Sequence, residues 1–407
     1  MTATLPAGRL GPDFRRLWTA SAVSNLGDGV TLVAAPLLVA SLTPDPAAVA
    51  AAALAPQLPW LLLALVSGAL VDRLDRRRLI VAVNLARALV LAALAAAVLA
   101  GVATVPLVCL AFFLTGIGET LADTAAGALL PSVVPADRLE QANSRLSATF
   151  VIGNQFVAKP LGAYLFLCAA ALPFGFDAAT FGVAALLLAL LRRRPVPSAT
   201  PPAPAAPDRS LRADVVEGLR ALWAVPVLRT LACCIAVMNV AFCAAFAAFV
   251  LYARQRLGLA EVGYGLLLTA SALGGLAGSA LATRLRSRFG TPALLRAGLL
   301  VEIGLQVVLA GTRHPVVAGA ALAVWGAHAM VWGVLVVSLR QRLVPDRLRG
   351  RVNSVYALAN LGGAALGTVA GGVLARAAGI LAPFWLAAAA LAVLTVLAWR
   401  RLADTGR

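Results

Sequence analysis

Twelve apolar runs divide this chain, at 17–42, 48–71, 79–101, 105–130, 146–168, 174–191, 230–253, 263–285, 292–311, 315–338, 353–376 and 381–399, with short polar breaks between them. Each is close to the ~20 residues that a helix needs to cross ~30 Å of hydrocarbon. Inside a bilayer every backbone N–H and C=O must be bonded within the protein, so segments of this length are expected to cross as helices. A mean hydropathy of +0.91 and 13% charged residues over 407 leave too little polar surface for a water-soluble globule. The expected class is an all-α integral membrane protein with twelve transmembrane helices.

The runs repeat as a set. Val134-Pro135 with Asn143-Ser144 returns as Val344-Pro345 with Asn353-Ser354, an offset of 210 residues, and each copy lies between the fourth and fifth runs of its half. The same offset lays Gly68 on Gly278, Gly101 on Gly311, Gly116 on Gly326, Gly153 on Gly363 and Gly162 on Gly372, with Arg76 on Arg286 and Arg78 on Arg288. Coincidences of Ala and Leu carry no weight in a chain that is 61% hydrophobic. A parallel repeat of this kind implies two pseudo-symmetric six-helix bundles around a shared site that opens to either side. The bundles are expected at 1–191 and 230–407, joined by a cytoplasmic linker at 192–229. The linker is Pro- and Ala-rich over 195–207. After it, Leu211, Val215, Leu219 and Leu222 recur at helical spacing among Arg212, Asp214, Glu217 and Arg220. That spacing predicts a short amphipathic helix along the inner membrane surface, either a tether or a regulatory element.

A net charge of +17 raises nucleic acid as a partner, but its placement favours a membrane. With a cytoplasmic N-terminus, only Arg254, Arg256, Arg313 and Arg376 of the arginines fall outside, and the positive-inside rule then puts both termini in the cytoplasm. Arg9, Arg15 and Arg16 precede the first run as in a secretory signal, yet that run is too long and lacks a cleavage site, so it is read as helix one. Cys109, Cys168, Cys233, Cys234 and Cys243 lie in predicted spans without disulfide or zinc spacing. The only lysine, Lys159, precedes Pro160, which rules out a Gly-Lys-Ser/Thr phosphate loop. His314 and His328 form no metal-ligand or Ser/His/Asp pattern. No enzyme, cofactor, metal site or nucleic-acid partner is expected. The expected partners are a small-molecule substrate, protons and the lipid bilayer, with the chain acting as a monomer. Arginine at the expense of lysine, among much alanine, hints at a G+C-rich genome and a bacterial cell membrane.

Two motifs carry a resemblance. Gly68, Asp72, Arg73, Arg76 and Arg77, in the stretch from Gly68 to Arg78, resemble the loop signature of the major facilitator superfamily, and the resemblance implies a cytoplasmic latch between the halves. In the second copy, Gly278 to Arg288, Thr283 stands near the expected acid, which implies a weaker latch. Gly153, Pro160 and Gly162, in the stretch from Gly153 to Gly162, resemble the Gly- and Pro-rich motif of antiporters in this superfamily, with Lys159 where a small residue is usual. Small residues allow close helix approach, and proline frees a carbonyl and permits a bend. With the Pro-Asp-Arg-Leu-Arg-Gly-Arg segment at 345–351, the pattern is most similar to the branch containing macrolide-efflux and siderophore-export proteins. That implies a secondary transporter whose helices one, four, seven and ten line a central cavity.

Ionisable groups within spans are the sharpest clues, because each costs ~2.5–3.5 kcal/mol at a helix centre on insertion scales. Ser21, Asn25, Asp28 and Thr31 share one face of helix one. Glu119 and Asp123 lie one turn apart on helix four, on the face of Gly116. Asp28, Glu119 and Asp123 are the candidates for proton coupling. Asp28 and Glu119 have no evident basic neighbour at their depth, whereas Asp123 is expected to pair with Arg87. Lys159 either pairs with Asp177 or serves transport. Glu302, on one face of helix nine with Gln306, is assigned a structural role. On helix ten, Trp325, His328 and Trp332 fall at i, i+3 and i+7, so that two indoles flank an imidazole and could stack on a large amphipathic or cationic substrate; packing is the competing reading. Asn25, Asn239, Tyr356 and Asn360 complete the cavity candidates, with bonding between helices as the alternative.

The expected function is proton-coupled efflux of a small hydrophobic or amphipathic compound such as a drug, macrolide, natural product or siderophore. The alternatives are a lipid or lysolipid flippase, an importer, or a non-transporting membrane sensor or scaffold.

Overall fold

The computed structural model describes residues 10–191 and 211–403; side chains at 64–69, 72, 73, 136, 211–215, 218, 346, 347, 349, 350 and 354 lie outside the description. The Pro-rich stretch of the linker therefore also falls outside it. All regular structure among the described residues is helical. Proline occupies the first or second position of eight of the described helices, where its missing N–H costs no bond.

The chain forms two compact units, Met1–Leu42 with Ala55–Ala203, and Thr43–Leu54 with Pro204–Arg407. The first contains α1 (Pro12–Leu42), α3 (Leu58–Arg73), α4 (Arg76–Leu99), α5 (Val105–Val133), α6 (Leu139–Phe150), a π-helical turn (Val151–Val157), α7 (Ala158–Cys168) and α8 (Leu172–Ala189). The second contains α2 (Pro46–Leu54), α9 (Leu211–Ala224), α10 (Pro226–Phe246), α11 (Phe249–Gln255), α12 (Glu261–Gly311), α13 (Pro315–Leu343), α14 (Asp346–Ala378) and α15 (Ala382–Ala398).

Nine of the described helical stretches are long and apolar enough to cross a membrane. One of them, the 51-residue α12, is two spans, because Gly290 at φ 75° and ψ 162°, followed by Pro292, breaks the helix there. The last run, α15, has 17 residues, and the second run is split into α2 and α3 by a turn at 55–57 that contains Pro56. Together these account for the twelve expected spans. The seventh run is likewise divided into α10 and α11.

The repeat in the sequence has a packing cause. A β-carbon at Gly116 would strike the Pro56 backbone, and one at Gly326 would strike the Ser271 backbone, so the same glycine seats the fourth span on the second and the tenth on the eighth. The pair Gly153 and Gly363 is unequal: a β-carbon at Gly363 would lie 2.7 Å from the Ala236 carbonyl on α10, whereas one at Gly153 would have its nearest neighbour, the Ala22 carbonyl on α1, at 4.0 Å. Close approach without a side chain brings backbones into contact, which is the main source of helix association in lipid. Around these crossings, Phe14, Leu17, Ile80 and Leu188 are buried in the first unit, and Leu231, Leu295, Leu299 and Leu391 in the second.

Candidate functional site

Arg87 organises the polar interior of the first unit. It leaves α4 over Gly118 of α5, where a β-carbon would lie 2.7 Å from Arg87 Cγ and Cδ, so glycine is what lets the side chain through. Arg87 Nη2 then donates to Asp28 Oδ1 of α1 at 2.6 Å, and its guanidinium carbon lies 3.9 Å from the centre of the Phe181 ring on α8. Arg87 is 6% exposed and the Asp28 side chain 24%. Asp28, Glu119, Asp177 and Asp123 all lie within electrostatic reach of this one guanidinium. Asp177, 1% exposed, accepts from Thr31 Oγ1 at 2.6 Å and Thr180 Oγ1 at 3.1 Å, beside Gly27, which has no side chain to bar its approach to α1. Exposure falls along the cluster. Asp123 is exposed, Glu119 half-buried, and Asp177 enclosed.

Three sequence expectations change here. Asp28 does have a basic partner, and it is Asp28 that takes the Arg87 ion pair expected for Asp123. Depth along a helix can be read from sequence, but helix rotation and the reach of an arginine across three neighbours cannot. The polar stripe on α1 divides, since Thr31 turns to Asp177 while Asp28 turns to Arg87. Asp177 is satisfied by hydroxyls, and of the two readings of Lys159, the pair with Asp177 is not formed. Lys159 is half-buried and has no ion-pair partner among the described residues. Arg87 and Asp177 are the members that sequence reasoning undervalued; one buried basic residue facing several acids was the available signal.

The antiporter-like stretch forms the crossing of α7 on α1. A β-carbon at Gly162 would strike the Val30 backbone, and one at Gly29 would strike Ala158 and the Asn154 backbone. Asn154 Nδ2 donates to the Asn25 carbonyl at 3.0 Å, tying the two helices. Asn25 spends its own amide locally, on Ser21 O at 2.7 Å and Ser21 Oγ at 3.0 Å. Pro160 lacks an N–H and its ring crowds the carbonyl four residues back; the π turn immediately before it re-registers the bonds, with Ala158 N–H donating to Gly153 O.

In the second unit, Trp325 Nε1 donates to Glu302 Oε1 at 2.8 Å, and its ring stacks on Phe242 with centroids 4.0 Å apart and planes 4° apart. His328 does not sit between two indoles. It meets Trp332 edge-on at 5.8 Å, with Nε2 3.4 Å from Glu302 Oε1. Trp332, 4% exposed, is a core residue, which corrects its assignment to substrate contact. Half-buried Trp325, Phe242 and Phe246 form the accessible aromatic face, and Phe242 and Phe246 stack at 4.1 Å. Tyr356 is buried beneath the Arg340 guanidinium, 4.0 Å from its ring centre, so it too is a packing group. Asn239 Nδ2 bonds Ile235 O of its own helix at 2.9 Å, and Asn360 is exposed.

At the expected latch, Arg76 Nη1 donates to Ala128 O at 3.1 Å, Arg77 Nε to Leu188 O at 3.0 Å, and Arg77 Nη2 to Ala189 O. Within the first unit these two arginines therefore hold carbonyls at the C-terminal ends of α5 and α8, where cations also favour the helix dipole. The side chains of Gly68, Asp72 and Arg73 lie outside the described residues.

Comparisons with known proteins agree with this architecture. The family model for the transmembrane secretion effectors of the major facilitator superfamily matches residues 10–404. The multidrug efflux pump Tap of Mycolicibacterium fortuitum is 30% identical over 384 residues, covering 90% of each chain. A bacterial homologue of the iron transporter ferroportin, in its inward-facing state, superposes with a TM-score of 0.74 at 18% identity, covering 97% of this chain and 99% of that one. The nucleoside transporter NupG superposes with 0.74 at 12% identity, over 96% and 99%. At those identities the structures speak for the fold alone. A match across nearly the whole length, to a family of transporters and not of enzymes, places this chain in the major facilitator superfamily as a multi-pass membrane transporter of the secretion-effector family.

Proposed function

We propose that the chain exports a small hydrophobic or amphipathic compound, such as a drug, macrolide, natural product or siderophore, in exchange for protons. It works in a bacterial cell membrane with both termini in the cytoplasm and needs no cofactor beyond the proton gradient. The observation that carries the reading is the cluster on Arg87: four carboxyl groups, Asp28, Glu119, Asp123 and Asp177, share the field of one guanidinium. One pair neutralises itself. Each further negative charge in that interior needs a proton, a cation or water to offset it, and the graded exposure from Asp123 to Asp177 supports proton exchange with the outside. A carboxyl that is loaded from one side and unloaded to the other couples the site to the membrane potential, worth ~2.3 kcal/mol per charge per 100 mV. The kinship to a multidrug efflux pump supports export and a broad substrate class.

The test is uptake of a fluorescent dye into inverted vesicles carrying Asp28→Asn, Glu119→Gln or Asp123→Asn. The expected result is retained dye binding with loss of proton-driven uptake in at least the Asp28 and Glu119 variants. Unchanged coupling in all three overturns the proposal.

A further inference from the structure

The ninth and tenth spans of the second unit meet through two polar faces. Gly298, Glu302 and Gln306 follow one another at i, i+4 and i+8 on α12, and Trp325, His328 and Trp332 at i, i+3 and i+7 on α13. Gly298 is the notch, because a β-carbon there would strike His328 Cε1 and Nδ1 and push the imidazole away from Glu302. Glu302 is 3% exposed and Gln306 0%. Glu302 Oε1 receives the Trp325 indole N–H at 2.8 Å and has His328 Nε2 at 3.4 Å without a hydrogen bond between them, and Glu302 Oε2, His328 Nε2 and both amide atoms of Gln306 have no hydrogen-bond partner among the described residues. A buried polar atom without a partner is costly, and a proton on the Glu302 and His328 pair would lower that cost.

Charge decides how many protons the pair holds. A carboxyl and an imidazole that share one proton are neutral as a pair, whichever of them holds it. With no proton the pair is −1, and with two it is +1, each a bare charge in a membrane interior. Among the described residues His328 is the only basic side chain within 4 Å of Glu302. On α12 itself Arg296 is engaged with the Trp399 carbonyl. On α13 Arg313 and His314 are exposed before its start, and Arg340, three turns beyond His328, lies on Tyr356, with Arg342 further still. On α11 Tyr252 donates to Leu309 O and Arg254 pairs with Glu261. α10 brings the thiols Cys233, Cys234 and Cys243, and Arg229 in its first turn; α15 has no titratable side chain.

We propose that Glu302 and His328 form a second proton-binding site, separate from the Arg87 cluster, that holds a single proton between them and reports its occupancy through the Trp325 indole. Trp325 links the pair to the aromatic face of Phe242 and Phe246, so loading this site changes the anchor of the surface that a flat apolar substrate would meet.

The experiment is intrinsic fluorescence of the purified full-length protein titrated from pH ~4 to ~9, a window that spans the ordinary carboxyl and imidazole values. The chain has seven tryptophans, so the Trp325 signal is the difference between wild type and Trp325→Phe. A one-proton transition is expected in that difference. It should vanish in Glu302→Gln, which keeps an oxygen to accept the indole N–H but cannot titrate, and its midpoint should move by a unit or more in His328→Gln. It should survive Asp28→Asn, which separates this site from the first-unit cluster. A transition that persists in Glu302→Gln, that keeps its midpoint in His328→Gln, or that is missing from wild type overturns the proposal. The two variants at different positions keep the test decisive if one of them does not fold.

Discussion

Arg87 and Asp28 join α4 to α1 through a 2.6 Å bond in which the guanidinium is four times less exposed than the carboxylate, 6% against 24%. The cation is thus a fixed part of the bundle while the acid stays reachable. Removing the two partners should then have unequal effects. Arg87→Met leaves several acids around an empty position and should lower stability by about 3–5 kcal/mol, the usual effect of breaking a buried pair. Asp28→Asn keeps an acceptor oxygen for Nη2 and should cost less than half of that. Thermal unfolding of the purified variants measures both; equal losses would mean that Asp28 is as structural as Arg87.

The α1 to α7 crossing depends on Gly29 and Gly162, whose β-carbons would enter the opposite backbone, whereas Gly153 has its nearest neighbour, Ala22 O, at 4.0 Å. Gly162→Val should therefore cost about 1–3 kcal/mol through overpacking, or more if the helices part. Gly153→Ala should be close to neutral. A reversed order in thermal unfolding would show that the motif is not a packing device at Gly162.

Much of the architecture was legible because bilayer physics is one-dimensional along the chain. Run length, the 210-residue echo and repeated glycines needed no knowledge of helix rotation, and Gly116 with Gly326 proved to seat equivalent helix pairs. The site was less legible because side-chain partnerships depend on rotation. Asp28, Glu119 and Asp123 do lie about one centre, yet which acid meets Arg87 turned on how α1 and α4 face one another. The i, i+3, i+7 row on helix ten was a true face, but Gly298 turns it towards the ninth helix, which buries Trp332 and gives His328 to Glu302. A glycine opposite a histidine is visible in sequence only once the helix pairing is known.

Arg77 bonds the Leu188 and Ala189 carbonyls with separate nitrogens. Lysine can supply charge there but not two donors in a planar fork. Arg77→Ala should speed backbone hydrogen exchange in the last turn of α8, with Arg77→Lys intermediate. Identical exchange in all three proteins would reduce the contact to a surface decoration.

Lys159 is half-buried and no acid among the described residues pairs with it, so its charge contributes desolvation cost without a Coulombic return. Lys159→Met should leave the unfolding temperature unchanged or slightly raised. A marked fall would reveal a partner that forms only in another conformation, with Asp177 the first to test by a double-mutant cycle.

Trp325 and Trp332 lie two turns apart on α13 but should fail in different assays. Trp332 is 4% exposed and packed among the leucines of the second core, so Trp332→Ala should cost about 3–5 kcal/mol of stability as a large-to-small change. Trp325 is half-buried, with Phe242 on its face and Glu302 on its edge, so part of its ring remains free for a ligand. Trp325→Ala should weaken binding of a flat aromatic dye several-fold, and Phe242→Ala should do the same, since each ring holds the other in place. Trp325→Phe retains a stackable ring and should bind dye nearly as well as wild type while losing the indole bond to Glu302. Dye affinity by fluorescence anisotropy, read beside unfolding temperature, separates the two tryptophans. If Trp332→Ala weakened binding with its fold intact while Trp325→Ala did not, the accessible aromatic face would have to be moved one helical turn or more along the tenth span.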